Sequence, residues 1–107
     1  MKTIAIGAIV ALLSLGALAI ASGEPDAARG AHLFYTHGCY GCHTIGAAGT
    51  PIGPDLSRAG SRHREAWFVR WLADPTRERP GAHMPKLGLD TADVTALAAF
   101  LGDQRAE

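Results

Sequence analysis

Hydrophobic positions recur at helical spacing in three parts of the chain. The first predicted helix begins at Asp26, a good N-cap residue, and runs to about His37, where Gly38 ends it. Gly30 and Phe34 lie four residues apart on its inner face. Because Gly30 has no side chain, it leaves the backbone bare beside the ring of Phe34, which predicts a close crossing with another helix. The predicted inner face consists of Ala27, Gly30, Ala31, Phe34 and Tyr35.

Two more helices are predicted further along the chain. Ser61 is a candidate cap for a second helix over about residues 62–73, which Asp74 and Pro75 would end. Its apolar stripe consists of Trp67, Phe68, Trp71 and Leu72. The last helix is predicted to start at Asp90 and to be capped near Gly102. Its apolar face consists of Val94, Leu97, Ala98 and Leu101.

Glycine and proline dominate the stretches between these helices. Residues 44–60 and 76–89 read as ordered loops, and the pattern contains no convincing strand. The prediction is therefore a small all-α domain of three main helices and long loops. Its first and last helices would cross with Gly30 and Phe34 against Leu97 or Phe100. Loops of this length usually belong to a functional site.

The first residues have a different hydropathy. Residues 4–21 carry no charge and follow Lys2, and small residues at Ala19 and Ala21 match a signal-peptidase pattern. The apolar run is also just long enough for a retained anchor. We predict a signal peptide or N-terminal membrane anchor over residues 1–21, a linker over 22–25 and one domain over 26–107. The domain would be exported to the periplasm or to the outer face of the cytoplasmic membrane.

The length and composition of the chain limit which functions are plausible. The 107 residues suffice for one domain, and ten Lys and Arg balance ten Asp and Glu, so no global charge indicates nucleic-acid binding. A domain this small buries a modest core and often needs disulfides, a metal or a cofactor for stability.

The two cysteines of the chain, Cys39 and Cys42, are separated by two residues, and His43 follows Cys42 directly. A redox-active dithiol uses the same cysteine spacing, but next to a strand–helix–strand pattern that is not seen here. Structural zinc needs four ligands, and no second paired motif is present. A disulfide across two residues would stabilise little. These three readings stay open. The pattern Cys-x-x-Cys-His fits best a c-type haem site, in which two thioethers hold the porphyrin and the imidazole binds iron.

The chain resembles the class I monohaem cytochrome c family of bacterial type. The resemblance covers nearly all of the chain after residue 25. It is carried by four stretches in the family's order, GAHLFYTHGCYGCH (30–43), GPDL (53–56), HMPKLGL (83–89) and DVTALAAFL (93–101). It implies the small cytochrome c fold wrapped round one covalent haem, with Cys39 and Cys42 as attachment points and His43 as an iron ligand.

Met84 is the expected second iron ligand. It is the one methionine outside the apolar N-terminal segment, it lies in a loop bounded by proline and glycine, and the family has its methionine in the same context. Thioether ligation raises the reduction potential of haem. His83, next to it, is the nearest rival ligand.

The resemblance also implies roles around the haem. Pro54 is expected to offer its carbonyl to the ring N–H of the proximal histidine. Arg62 is expected near a haem propionate. The indole N–H of Trp67 or Trp71 is a further candidate donor to that propionate, with packing in the core or on the haem as the alternative for each ring.

The function implied is one-electron transfer to and from transient redox partner proteins, without a small-molecule substrate and without enzymatic activity. One rival is a membrane-anchored cytochrome c subunit of a larger respiratory or dehydrogenase complex, held by residues 4–21. The other is a ligand-binding or peroxidatic haem protein in which Met84 is labile.

Overall fold

The computed structural model describes residues 26–105, so the predicted signal peptide or anchor (1–21) and linker (22–25) lie outside the described residues. This part of the chain contains five α-helices: α1 (Asp26–Thr36), α2 (Ala59–Arg62), α3 (Glu65–Ala73), α4 (Pro75–Glu78) and α5 (Thr91–Gly102). A 3-10 turn (Cys39–Gly41) follows α1. After it come two short strands, β1 (Thr44–Ile45) and β2 (Ala48–Gly49). The predicted all-α class with three main helices is confirmed. None of these helices is long and apolar enough to cross a membrane.

Helices α1 and α5 cross at the predicted place. A Cβ atom on Gly30 would lie 2.0 Å from the carbonyl oxygen of Ala96, so the two helices touch backbone to backbone. Beside this contact the ring of Phe34 packs on that of Phe100, with centroids 5.4 Å apart. Phe34 and Leu97 are almost fully buried. Only glycine permits so close an approach of two helices.

Polar side chains fix the same pair of helices at the start of α5. The side chain of Asp90 accepts a hydrogen bond from the backbone N–H of Asp93 at 2.8 Å, which confirms the predicted helix start. Asp93 in turn pairs with the guanidinium of Arg29 and lies 3.5 Å from Nε2 of His37, both at the α1 side.

The predicted inner face of α1 was too wide. Tyr35 is 74% exposed, whereas Gly30 and Phe34 are buried and Ala27 and Ala31 are half-buried. Tyr35 follows Phe34 directly and lies about 100° further round the helix, so it stands beside the contact with α5 and not in it.

The second predicted helix is divided into two. Ser61 lies inside α2 and is not a cap, and His63 and Arg64 are extended between α2 and α3. The division lets α2 approach the end of α5, where a Cβ atom on Gly60 would lie 2.1 Å from the carbonyl oxygen of Gly102. The backbone N–H of Gly60 donates to the carbonyl of Gln104 at 2.9 Å.

The stretches predicted to be irregular contain short elements. Strands β1 and β2 pair antiparallel, with Thr44 opposite Gly49, so the expectation of no strand was wrong. Helix α4 begins with Pro75 at a position where proline is tolerated. Both elements are too short to give a periodic sequence signal.

We expect the substitution Gly30→Ala to destabilise the folded protein by about 1–3 kcal/mol or more, because the added methyl group must push α1 away from α5. Gly41→Ala is the matched control, since a Cβ atom at Gly41 meets no atom within 4 Å. Chemical unfolding of the two holoprotein variants measures the difference. Equal stability of both variants would contradict the close crossing.

Candidate cofactor site

A cavity of about 1120 Å³ lies against the core of the domain. Core side chains of α1 and α5, among them Phe34, Leu97 and Leu101, form part of its wall. The cavity is slightly larger than the usual ligand site of roughly 300–1,000 Å³. It brings together every residue that the sequence analysis proposed for the site: Cys39, Cys42, His43, Pro54, Arg62, Trp67, Trp71 and Met84.

Both cysteines and His43 sit in one tight turn. Gly38 ends α1 with a positive φ of 75°, a conformation that glycine adopts easily. The carbonyl oxygen of Cys39 then accepts the backbone N–H groups of Cys42 at 3.2 Å and of His43 at 3.0 Å. Both thiols are free, and burial raises the pKa of the Cys39 thiol. The turn therefore presents two thiols and an imidazole to the same cavity.

The imidazole of His43 has a fixed orientation. Its Nδ1 atom lies 2.8 Å from the carbonyl oxygen of Pro54, as the resemblance implied for that proline. Because a carbonyl can only accept, Nδ1 carries the hydrogen and Nε2 keeps its lone pair. Gly53 makes this approach possible, since a Cβ atom there would lie 2.8 Å from Cε1 of His43. The arrangement leaves Nε2 available to bind a metal ion.

Asp55 organises the loop that carries Pro54. Its Oδ1 atom accepts hydrogen bonds from the backbone N–H of Ser57 at 3.0 Å, the Ser57 hydroxyl at 2.7 Å and the Thr44 hydroxyl at 3.1 Å. The Ser57 hydroxyl also accepts the backbone N–H of Gly46 at 2.7 Å. These hydrogen bonds, led by the Ser57 backbone N–H, lower the pKa of the exposed Asp55 carboxyl. The network joins the β1–β2 hairpin to the loop beside His43.

An aromatic stack extends from the α2–α3 break to Met84. The rings of His63 and Trp67 are parallel with centroids 3.6 Å apart, and those of Trp67 and Trp71 are parallel at 5.2 Å. The indole Nε1–H of Trp71 donates to the sulfur atom of Met84 at 3.2 Å. Trp71 was one of two candidate donors to a propionate, and in the structure its N–H donates to Met84 instead.

Arg62 lines the cavity from α2. One of its terminal nitrogens donates to the backbone carbonyl of Asp55 at 3.0 Å. Arg79 is a second arginine in the cavity wall. Sequence reasoning missed Arg79, because nothing in its local pattern relates it to the distant cysteines.

His63 also lies in the cavity wall, where its ring stacks on Trp67. Its spacing of four residues from Trp67, which is in turn four from Trp71, is the signal that could have identified it. His83, the rival ligand, also lines the cavity and is exposed.

The donor set of this cavity suits a haem. Two free thiols can form thioethers, one imidazole nitrogen and one thioether can bind iron, apolar and aromatic side chains can surround a porphyrin, and two arginines can pair with carboxylates. The alternative of zinc fits less well. Within residues 26–105, no three His, Cys, Asp or Glu side chains come together as ligands for a metal ion.

Comparisons with known proteins agree with this donor set. The family model described as cytochrome c matches residues 27–104. A relative, cytochrome c oxidase subunit 2 of Alkalihalophilus pseudofirmus, is 31% identical in an alignment of 87 residues that covers 73% of this chain and 25% of the relative. The chain therefore spans about a quarter of the length of that relative. No solved structure matches the chain at a significant level.

We expect the Asp55 network to make stability depend on pH. Because the pKa of Asp55 is lowered in the folded protein, its stabilising effect is complete above the ordinary value of 3.8 and is lost as the pH falls through the lower folded value. Thermal unfolding of the protein and its D55N variant should therefore differ most at neutral pH and converge in acid.

Asp103→Asn is the control for this measurement. It removes one negative charge from a surface position whose carboxylate accepts no hydrogen bond in residues 26–105. The thermal stabilities of D103N and of the unmodified protein should not show this pH-dependent difference. If they also differ at neutral pH and converge in acid, the effect is one of general charge, which would contradict the Asp55 network.

Proposed function

This chain belongs to the cytochrome c family, and its membership supports a haem-based role in electron transfer. We propose that it carries one electron on a single haem, which is held by thioether bonds to Cys39 and Cys42. The haem iron supplies the change between ferrous and ferric states. The observation that carries the proposal is that Cys39, Cys42, His43 and Met84 all line the same cavity, with Nε2 of His43 left free by the bond from Nδ1 to Pro54.

His43 and Met84 are the proposed axial ligands. The hydrogen bond from Nδ1 of His43 to Pro54 holds the ring in one orientation and makes Nε2 more basic. Met84 offers a soft sulfur donor from another segment of the chain, which favours the ferrous state. Two protein ligands leave no coordination position for a substrate. We therefore propose a carrier, not an enzyme.

Arginines and a tryptophan would complete the binding of the cofactor. The guanidinium groups of Arg62 and Arg79 are suited to pair with the two propionates of haem. The bond from Arg62 to the carbonyl of Asp55 uses one of its donors and leaves others. Trp67, stacked between His63 and Trp71, forms part of the wall against the ring.

The proposed partners are redox proteins that bind transiently outside the cytoplasm. The uncharged residues 4–21 support export, and c-type haem fits that compartment. Ile52 lines the cavity and is 74% exposed, so an apolar side chain lies at the rim where a partner could approach the cofactor. Short-lived redox complexes have small contact surfaces, so a small apolar rim at the cofactor is sufficient for one.

A second candidate is a cytochrome c subunit or tethered domain of a larger respiratory complex. The relative named cytochrome c oxidase subunit 2 favours it, with 31% identity over 87 residues. The electron-transfer chemistry would be the same, and the partner would be part of the same complex. Retention of residues 4–21 as an anchor would accompany this arrangement.

The visible spectrum of the purified protein tests the chemistry. We expect haem that stays on the denatured chain, a six-coordinate low-spin spectrum, and a sulfur-to-iron charge-transfer band that disappears in the M84A variant. The reduced protein should bind carbon monoxide slowly or not at all, whereas M84A should bind it readily.

Three outcomes would contradict the proposal. Haem that is extracted by acid-acetone would exclude the thioethers to Cys39 and Cys42. A high-spin spectrum of the native protein would exclude ligation by Met84. Rapid carbon monoxide binding by the native protein would favour the rival with a labile Met84.

Fractionation of cells expressing the full chain separates the two arrangements. For a diffusible carrier we expect the haem-stained protein in the periplasmic fraction, with its N-terminal residue after position 21. A tethered subunit would remain in the membrane fraction through a high-salt wash and keep residues 4–21. Haem-stained protein in the cytoplasmic fraction would contradict export in either arrangement.

A further inference from the structure

We propose that Asp55 is a positioning residue for the cofactor: its carboxylate keeps the Pro54 carbonyl at the place where it orients the imidazole of His43. The inference rests on the proposed function, because it requires His43 to be an iron ligand. Its first support is the 3.1 Å hydrogen bond that Asp55 accepts from the hydroxyl of Thr44, the residue directly after the ligand.

Two segments of the chain, residues 42–46 and 53–57, lie side by side in one register. Three hydrogen bonds, with donor–acceptor distances of 2.8, 3.1 and 2.7 Å, join residues eleven positions apart: His43 with Pro54, Thr44 with Asp55 and Gly46 with Ser57. The bond that orients the imidazole is therefore one member of a series. A shift of either segment along the other would carry the Pro54 carbonyl away from the ring.

The carboxylate of Asp55 connects the members of this series. Its Oδ1 atom accepts the hydroxyl of Thr44 and both the backbone N–H and the hydroxyl of Ser57. The Ser57 hydroxyl in turn accepts the N–H of Gly46. An ionised carboxylate can only accept, and its charge strengthens each of these bonds. Because the side chain is exposed, Asp55 holds the two segments together by hydrogen bonding and not by burial in the core.

The backbone of Asp55 makes a second contact toward the cofactor. Its carbonyl accepts an N–H of Arg62 at 3.0 Å, and both residues line the cavity. Because Arg62 is a proposed partner of a haem propionate, a displaced Asp55 would displace that guanidinium as well. One residue thus supports two groups that would contact different parts of the cofactor, the imidazole and the guanidinium.

A fixed imidazole has a direct use in electron transfer. The hydrogen bond to Pro54 holds one edge of the His43 ring, so the lone pair on Nε2 points in one direction. A ligand that keeps this direction in both oxidation states adds little rearrangement when the electron moves. Side chains that bind metal ions are commonly oriented by hydrogen-bonded neighbours in this way.

The experiment compares T44V with the unmodified holoprotein. T44V removes the hydroxyl that donates to Asp55 and changes neither the charge nor the ligand. Because the Pro54 carbonyl loses part of its support, we expect the Nδ1–H of His43 to exchange with solvent roughly fivefold faster in proton NMR of the reduced protein. In the oxidised protein the ring-methyl signals of the haem should shift, since their positions depend on the orientation of the imidazole plane.

Substitution of Asp55 tests the centre of the network. D55A removes the acceptor of three hydrogen bonds, so both changes should be larger than in T44V. D55N keeps one carbonyl oxygen and should lie between D55A and the unmodified protein. A D55A holoprotein with the exchange rate and the methyl signals of the unmodified protein would overturn the proposal.

Thr76→Val is the matched control. The Thr76 hydroxyl donates to Asp74 at the same distance of 3.1 Å, but Thr76 does not line the cavity. T76V should therefore leave the Nδ1–H exchange and the methyl signals unchanged. If T44V alters them no more than T76V does, Asp55 does not position His43.

Exchange of the backbone N–H of Leu97 separates positioning from a general loss of stability. Leu97 is almost fully buried in α5, so its N–H reports on opening of the core. An equal acceleration at Leu97 and at His43 in T44V would overturn the positioning role. Haem extracted by acid-acetone from the unmodified protein would contradict the proposed function, whereas thioether-bound haem with unchanged T44V signals would contradict only the role of Asp55.

Discussion

The backbone contact between α1 and α5 is the constraint on which the rest of the domain depends. Gly30 lets the two helices meet at the carbonyl of Ala96, and no side chain separates them there. The crossing places Phe34 of α1 and Leu97 of α5 in one core, and both also form a wall of the cavity. The same helix receives α2 at its other end, where Gly60 meets Gly102. These two backbone contacts thus fix the helices against which the loops of the cofactor site pack.

Much of this fold could be predicted from local patterns. The spacing of Gly30 and Phe34 indicated the crossing, and Asp90 indicated the start of α5. The break at His63 could not be predicted, because the contact of Gly60 with Gly102 that accompanies it joins positions more than forty apart. Tyr35 was placed on the inner face although it lies about 100° round the helix from Phe34. Apolar spacing shows which side of a helix is inward, whereas the width of the covered stripe depends on which elements pack against it.

Some residues of the cofactor site could likewise be predicted from the sequence, and others could not. Cys39, Cys42 and His43 form a local motif, so their neighbourhood in space was evident from the sequence. Pro54 and Met84 were identified through a family resemblance, and the structure brings both into the same cavity as His43. The stacking of His63 and the hydrogen bond from Trp71 to Met84 depend on how α3 faces residues 83–89. No pattern within one segment contains that information.

The two sides of the cavity differ in how the chain is secured. On the His43 side, the Asp55 network, the β1–β2 hairpin and the Pro54 hydrogen bond join several backbone segments. On the Met84 side, a side-chain contact with Trp71 takes the place of such a network. Segments with few backbone hydrogen bonds open at a lower free energy than the rest of a fold. Local unfolding of this domain should therefore begin at residues 83–89, so that the sulfur leaves the site while the imidazole stays in place.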